Sequence, residues 1–233
     1  MLDIHSHVLP KMDDGSASVE MSLEMLRTSV EKGVTSLVST SHFYAAHESP
    51  EDFLRRRRHA IKRLKSGLTD FELPMYFGAE VLYFPGIAQS EAVRSLAIEG
   101  TSLILIEMPF DKWTEKIFNE LNTFQYNSGL QIVLAHIDRY RAIQSKAIYN
   151  LLLEQPFYFQ INAEAFSSFS TRRFALQILE RGQLHFLGTD CHNTTTRPPN
   201  MDVARQVIEK KVSPAAWNIL SEEMDERFRH HIL

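Results

Sequence analysis

Cysteine is nearly absent from this chain: Cys191 is the one thiol among 233 residues. No internal disulfide can form, and that scarcity fits a cytoplasmic, reducing setting. Glycine is sparse at 9 residues, and neither a GxGxxG nor a Walker-type loop occurs, so a glycine-rich phosphate cradle is excluded. No run approaches the roughly 18 apolar residues of a membrane span, so no membrane insertion is expected. The opening residues, MLDIHSH, lack the basic, apolar and small-residue zones of a secretory leader. A large excess of one charge is missing too. Lys and Arg total 25 against 29 Asp and Glu, a formal net charge of −4 with His neutral. Nucleic-acid binders usually carry a basic footprint, so no nucleic-acid partner is expected. No repeat, low-complexity tract or Pro/Gly/Ser-rich linker divides the chain, and a single domain over residues 1–233 is the expectation.

What is there is a globular composition, 44% hydrophobic and 23% charged, with 10 histidines. Seven short β-type runs stand out: Leu2–His5, Ser36–Thr40, Met75–Ala79, Leu103–Ile106, Ile132–Ala135, Phe157–Ile161 and His185–Gly188. Most are continuously apolar, as suits strands buried on both faces of a parallel sheet. Helical spacing fills the intervals, over Val19–Lys32, Pro50–Ser66, Glu115–Tyr126, Gln144–Leu153 and Thr171–Arg181, with Asp202–Lys211 and Pro214–Phe228 closing the chain. Gly33 and Gly182 read as helix stops. Repeated strand–helix alternation predicts a parallel α/β sheet, open or closed into a barrel.

Polar residues gather where these strands end. The first run leads into His5-Ser6-His7 and then Asp13-Asp14-Gly15. The second leads to His42, the third to Glu80, the fourth to Glu107, and the fifth to His136, Asp138 and Arg139. The sixth ends in Gln160-Ile161-Asn162, and the seventh in Asp190-Cys191-His192. Ligands bind at this rim in parallel α/β folds. Each residue alone has an ordinary alternative, a satisfied loop histidine or a carboxylate paired with Arg139. Together they form an imidazole and carboxylate set without clustered thiolates, which suits Mn, Fe, Zn or Mg. So many buried charges need compensating cations.

The order HSH, DDG, SH, AEV, IEMP, AHIDRY, GTDCHN and TRPP resembles the polymerase-and-histidinol-phosphatase (PHP) superfamily. Within it the chain is most similar to the bacterial manganese-dependent protein-tyrosine phosphatases of capsule and exopolysaccharide loci. The similarity runs from Met1 to about Met201 and weakens from about Val212. It implies a distorted seven-stranded, TIM-like (β/α)7 barrel with three metal ions at the C-terminal rim, manganese first and Fe, Zn or Mg as alternatives. It implies a first metal on His5, His7, Glu80 and Asp190, a second on Glu80, Glu107 and His136, and a third on Asp14, His42 and His192. Arg139 and Arg197 would bind phosphoryl oxygens, for which guanidinium is well shaped. Two motifs depart from the family's habit. Thr40-Ser41-His42-Phe43 stands where TPHH is common, and His136-Ile137-Asp138-Arg139-Tyr140 where HPERY is common.

The expected activity is phosphomonoester hydrolysis by attack of a metal-bound hydroxide. The expected substrate is the phosphotyrosine tail of a tyrosine autokinase in polysaccharide synthesis. Asp14 and His42 are the candidate proton donors. A histidinol-phosphatase-like or other small-molecule phosphatase is the alternative, followed by a PHP-type nuclease. A further rival is a thiol phosphatase, because Cys191 to Arg197 fits Cys-x5-Arg. Against it, the intervening residues hold no glycine for a nest of backbone N–H groups, and Pro198 and Pro199 follow. The basic helix from Arg55 to Lys65 is read as a solvated face that alternatively binds an anionic partner. His47, His59, His185, His230 and His231 receive no role.

Overall fold

A computed structural model describes residues 1–68 and 72–233. The fold is mixed α/β, with a curled parallel sheet and helices in the connections. The strands are β1 (Leu2–Ser6), β2 (Ser36–Ser39), β3 (His42–Phe43), β4 (Met75–Phe77), β5 (Glu80–Leu82), β6 (Leu103–Glu107), β7 (Gln131–Leu134), β8 (Tyr158–Asn162) and β9 (Phe186–Gly188). The helices are α1 (Val19–Glu31), α2 (Pro50–Gly67), α3 (Glu115–Ser128), α4 (Ile137–Tyr140), α5 (Lys146–Leu153), α6 (Phe169–Glu180), α7 (Met201–Lys211) and α8 (Pro214–His230).

Local chemistry sets the helix ends. Ser18, Ser49, Ser145, Ser168 and Ser213 each accept a hydrogen bond at an N-terminus, and Pro50 and Pro214 occupy first-turn positions that need no N–H donor. The Ser145 cap starts α5 two residues after the expected Gln144. The Ser168 cap starts α6 before the expected Thr171. Gln144 is instead used outside a helix, accepting from Trp113 N–H at 3.0 Å.

The strands form two parallel sheets, β1-β2-β4 and β3-β5-β6-β7-β8-β9. All five residues of β6 are buried, as the unbroken apolar run Leu103–Ile106 predicts. Two of the expected runs are interrupted rather than simply ended. After Ser39 and Phe77 the chain breaks pairing and resumes as β3 and β5. At the break Gly78 N–H donates to Ser39 O at 2.8 Å, while Glu80 N–H reaches both Thr40 O at 3.1 Å and Ser41 O at 3.0 Å. The resumed strands place His42 opposite Glu80. At the far edge, Ser6 bridges Cys191 in parallel, which brings the end of β1 to the loop after β9. Asp3, fully buried, ties the same two segments, accepting from Thr189 N–H at 2.9 Å and Thr189 Oγ1–H at 2.6 Å.

Candidate metal centre

The strand ends converge. His5, His7, Glu80, Glu107, His136, Asp190 and His192 are all buried, His42 is partly so, and Asp14 is 66% exposed at the mouth. All nine expected donors lie in one pocket. Glu80 is at its centre. Its Oε2 is 3.0 Å from His42 Nδ1, 3.2 Å from His5 Nε2 and 3.3 Å from His7 Nε2. Its Oε1 is 2.9 Å from His136 Nε2, which is also 3.5 Å from Glu107 Oε1. Asp190 Oδ1 faces His5 Nε2 at 3.5 Å and His7 Nε2 at 3.4 Å. Asp14 Oδ1 stands 3.3 Å from His192 Nε2 and 3.5 Å from His42 Nε2.

Three sets of donor atoms lie within 4.8 Å of one another: His7, Asp14, His42 and His192; His5, His7 and Asp190; His42, Glu80 and Glu107. Among the described residues, Glu80 Oε2, His42 Nδ1 and His192 Nε2 are buried without a hydrogen-bond partner. Such atoms are costly unless something else meets them. An oxygen among three imidazole nitrogens, close to all and bonded to none, fits donors arranged around cations.

The electrostatics agree. Burial opposes charge on these groups, and opposite charges outweigh it at His7, His136, Glu80 and Asp190, whereas burial and the neighbouring His7 lower His192 to about 4. Burial resists protonation of His136, but hydrogen bonds to Glu107 and Glu80 push it up to about 9. Burial likewise resists protonation of His7, and Asp13, Asp190 and Glu80 raise it well above the usual histidine range. Glu80 and Asp190 are held well below the usual carboxylate range, against burial, chiefly by His5 and other imidazoles. A pocket that stabilises cationic imidazoles to this extent suits metal cations.

Some contributors were not identified from sequence. Asp13 Oδ2 accepts from His7 Nδ1 at 2.8 Å and from His42 N–H at 2.9 Å, so it orients two donors at once. Gln160 Oε1 sits 3.1 Å from His5 Nδ1 and accepts from His136 N–H at 2.6 Å. Its amide donates to Asn162 Oδ1 at 2.8 Å, and Asn162 donates to Asp190 Oδ2 at 3.0 Å. This relay ties the end of β8 to the ends of β1, β7 and β9. Close backbone approach helps. A Cβ on Gly188 would lie 2.5 Å from His5 Cβ, so only glycine fits there. His136 and Asp190 both adopt left-handed backbone, with φ of 32° and 52°. Non-glycine residues adopt this conformation uncommonly, and those that do cluster at functional sites.

Arg139 and Arg197 flank the mouth, each about one-third exposed. They meet the same oxygen, Asp190 Oδ2, at 2.7 and 2.8 Å. Phe110 is 52% exposed, with its ring 5.9 Å from His136 and nearly parallel to it. Tyr44 stacks 5.3 Å from His42.

The thiol rival does not fit. Cys191 is fully buried, and burial with the nearby Asp3 pushes its thiol up to about 12. The N–H groups of Thr195, Thr196 and Arg197 all donate to Asn193 Oδ1, at 2.9, 2.7 and 3.0 Å. They do not form an open anion nest around the sulfur. Among the described residues no helix is long and apolar enough to cross a membrane.

Comparison with known proteins identifies a family. The profile described as "Capsular polysaccharide synthesis, CpsB/CapC" matches residues 1–226. Tyrosine-protein phosphatase YwqE of Bacillus subtilis is 29% identical, covering 100% of this chain and 93% of its own. Tyrosine-protein phosphatase CpsB of Streptococcus pneumoniae is 30% identical over 91% of this chain and 90% of its own. A crystal structure from work on YwqE and CpsB, described as unique metal-dependent tyrosine phosphatases, superposes with a TM-score of 0.83. It is 29% identical, covering 99% of this chain and 95% of that one.

Proposed function

The chain belongs to the CpsB/CapC family of capsular polysaccharide synthesis, and from that footing we propose that it is a metal-dependent phosphatase that hydrolyses phosphotyrosine in protein. The observation that carries this reading is Glu80 Oε2, within 3.3 Å of three imidazole nitrogens and hydrogen-bonded to none among the described residues. Three metals, manganese by family resemblance, would be held by His5, His7, Glu80 and Asp190; by Glu80, Glu107 and His136; and by Asp14, His42 and His192. When bound, such cations polarise phosphoryl oxygens and acidify water.

The chain's own residues do the rest. Asp13, at 2.8 Å, keeps the proton of His7 on Nδ1, and Gln160 does the same for His5 at 3.1 Å, which turns both Nε2 lone pairs inward. Arg139 and Arg197 are placed to grip the equatorial oxygens of the phosphoryl group, whose charge grows during transfer. Asp190 Oδ2 holds both guanidiniums ready. The phenolate of tyrosine leaves easily, its conjugate acid having a pKa near 10. Asp14 Oδ1 faces His42 Nε2 at 3.5 Å and His192 Nε2 at 3.3 Å as a ligand would, which leaves the other carboxylate oxygen of this exposed residue to pass the phenolate a proton, while His42, with Nε2 given to the metal, does not. The exposed Phe110 ring offers a face for the aryl leaving group, which favours phosphotyrosine over an alkyl phosphate such as histidinol phosphate.

We read the two sheets as one distorted seven-stranded barrel of the PHP type. In it β2 and β3 stand in file, β4 and β5 likewise, and the Ser6–Cys191 bridge closes the ring. We place the protein in the cytoplasm, acting on the tail of a tyrosine kinase of polysaccharide export. The test is a side-by-side rate measurement on a phosphotyrosine peptide and on histidinol phosphate. The peptide should be the better substrate by kcat/KM; faster turnover of histidinol phosphate would replace this reading.

A further inference from the structure

The basic helix α2 carries the sequence RRRRHAIKRLK and is not used by the chemistry above. Some of its charges are already balanced. Arg55 pairs with Asp52, Arg56 with Glu48, and the buried Arg57 with Glu99. The basic residues are not spread at random. The Glu48-paired Arg56 and, beyond it, His59, Lys62 and Arg63 line an open groove of about 630 Å³ together with Lys11. Among the described residues no carboxylate lines this groove, in a chain whose formal charge is −4.

The groove adjoins the pocket. Arg56 Nη1 donates to Met12 O at 2.9 Å, and Arg63 donates to Pro10 O, so α2 is fastened to the loop Pro10–Met12. That loop runs directly into Asp13 and Asp14. Lys11 precedes Asp14 by three residues, so their Cα atoms are at most about 11 Å apart. An extended peptide covers that distance in about three residues.

We propose that this groove binds acidic side chains two to four residues from the phosphotyrosine, and so selects an acidic protein segment as substrate. The inference rests on the phosphotyrosine reading above. Lys62, Lys11 and Arg63 provide the complementary charge for Asp or Glu, and the fastening of α2 to the loop holds the cations in register with the pocket. A single phosphomonoester lacks the length to reach both places, which makes the groove a determinant of peptide choice and not of the chemical step.

The test uses the metal-loaded protein and three substrates: p-nitrophenyl phosphate, a phosphotyrosine peptide flanked by Asp and Glu, and the same peptide with Asn and Gln. The native protein should show a lower KM for the acidic peptide, and salt should erase the difference, because exposed charges are screened. Lys11→Asn combined with Lys62→Glu should raise KM for the acidic peptide about 5- to 10-fold, as expected when two or three exposed pairs are lost. The neutral peptide and p-nitrophenyl phosphate should be unaffected. Equal KM for both peptides in the native protein overturns the groove proposal and leaves the phosphotyrosine reading standing. Hydrolysis of p-nitrophenyl phosphate with neither peptide turned over sinks both. Unchanged peptide kinetics, with loss of binding to anionic vesicles or duplex DNA in the variant, overturns the proposal in favour of that surface.

Discussion

His7 and Asp13 are joined by a 2.8 Å hydrogen bond from Nδ1 to Oδ2, and Asp13 also accepts the backbone N–H of His42 at 2.9 Å. One carboxylate thereby sets two imidazole donors that come from different strands. A third donor, Gly15 N–H at 3.0 Å, occupies its other oxygen. Against burial, these donors and the positive His7 hold Asp13 far below the usual carboxylate range.

Asp13→Asn should therefore weaken metal binding without removing any proposed ligand. All three partners are donors, so the asparagine amide must point an N–H at one of them. Loss of such an orienting partner typically lowers metal affinity about 10- to 100-fold. Metal titration of the stripped protein measures this directly. Unchanged affinity would mean that the Asp13 contacts are incidental.

Arg139 and Arg197 share Asp190 Oδ2, so their substitutions should not be independent. Arg139→Lys and Arg197→Lys should each lower kcat/KM, by about 10²- to 10³-fold if each guanidinium stabilises transition-state charge. The double variant should lose less than the product of the two, because residues acting on one group are non-additive. Metal content should be unchanged. A full multiplicative loss would argue for separate tasks.

Phe110→Ala tests the aryl face. An aromatic pair contributes about 0.5–1.5 kcal/mol beyond burial, so KM for a phosphotyrosine peptide should rise about 2- to 10-fold. An alkyl phosphate should show no comparable change. Equal effects on both substrates would place Phe110 in the support of His136 instead.

His185 lies away from the metal pocket, and its Nδ1 accepts the N–H of Phe159 at 3.0 Å. Burial, and then the charge of Arg227, lower its pKa from 6.5 to about 4. The unfolded chain therefore binds this proton first as pH falls. Its contribution to stability is complete above pH 6.5 and is lost as pH falls from there through about 4. His185→Gln should flatten the pH dependence of chemical unfolding across that window relative to the native protein. Parallel pH curves for the two proteins would contradict the assignment.

Much of this was legible in the sequence. The polar ends of the strands stood out because parallel strands bury both faces, so a histidine or carboxylate there needs a reason. That drew attention to the rim, the family resemblance then picked out His5, His7, Asp14, His42, Glu80, Glu107, His136, Asp190 and His192 as ligands, and the fold brings these nine side chains close together. The orienting shell was harder to see. Asp13 beside Asp14 looks like a duplicate, and Gln160 and Asn162 look like ordinary strand-end amides. Their roles depend on which atoms face which across strands, as in the 155-residue separation between His5 and Gln160. The interruptions after Ser39 and Phe77 were also hidden, because apolar runs indicate strands but not a change of pairing. The basic helix showed as a charge run; its place beside the Asp13–Asp14 loop needed coordinates.

The most direct test of the central claim is hydrolysis of a phosphotyrosine peptide before and after chelation, with Mn²⁺ added back and metal content assayed in the same sample. The account predicts that activity disappears as the metals are removed and returns with Mn²⁺. Full activity in protein shown to be metal-free would contradict it.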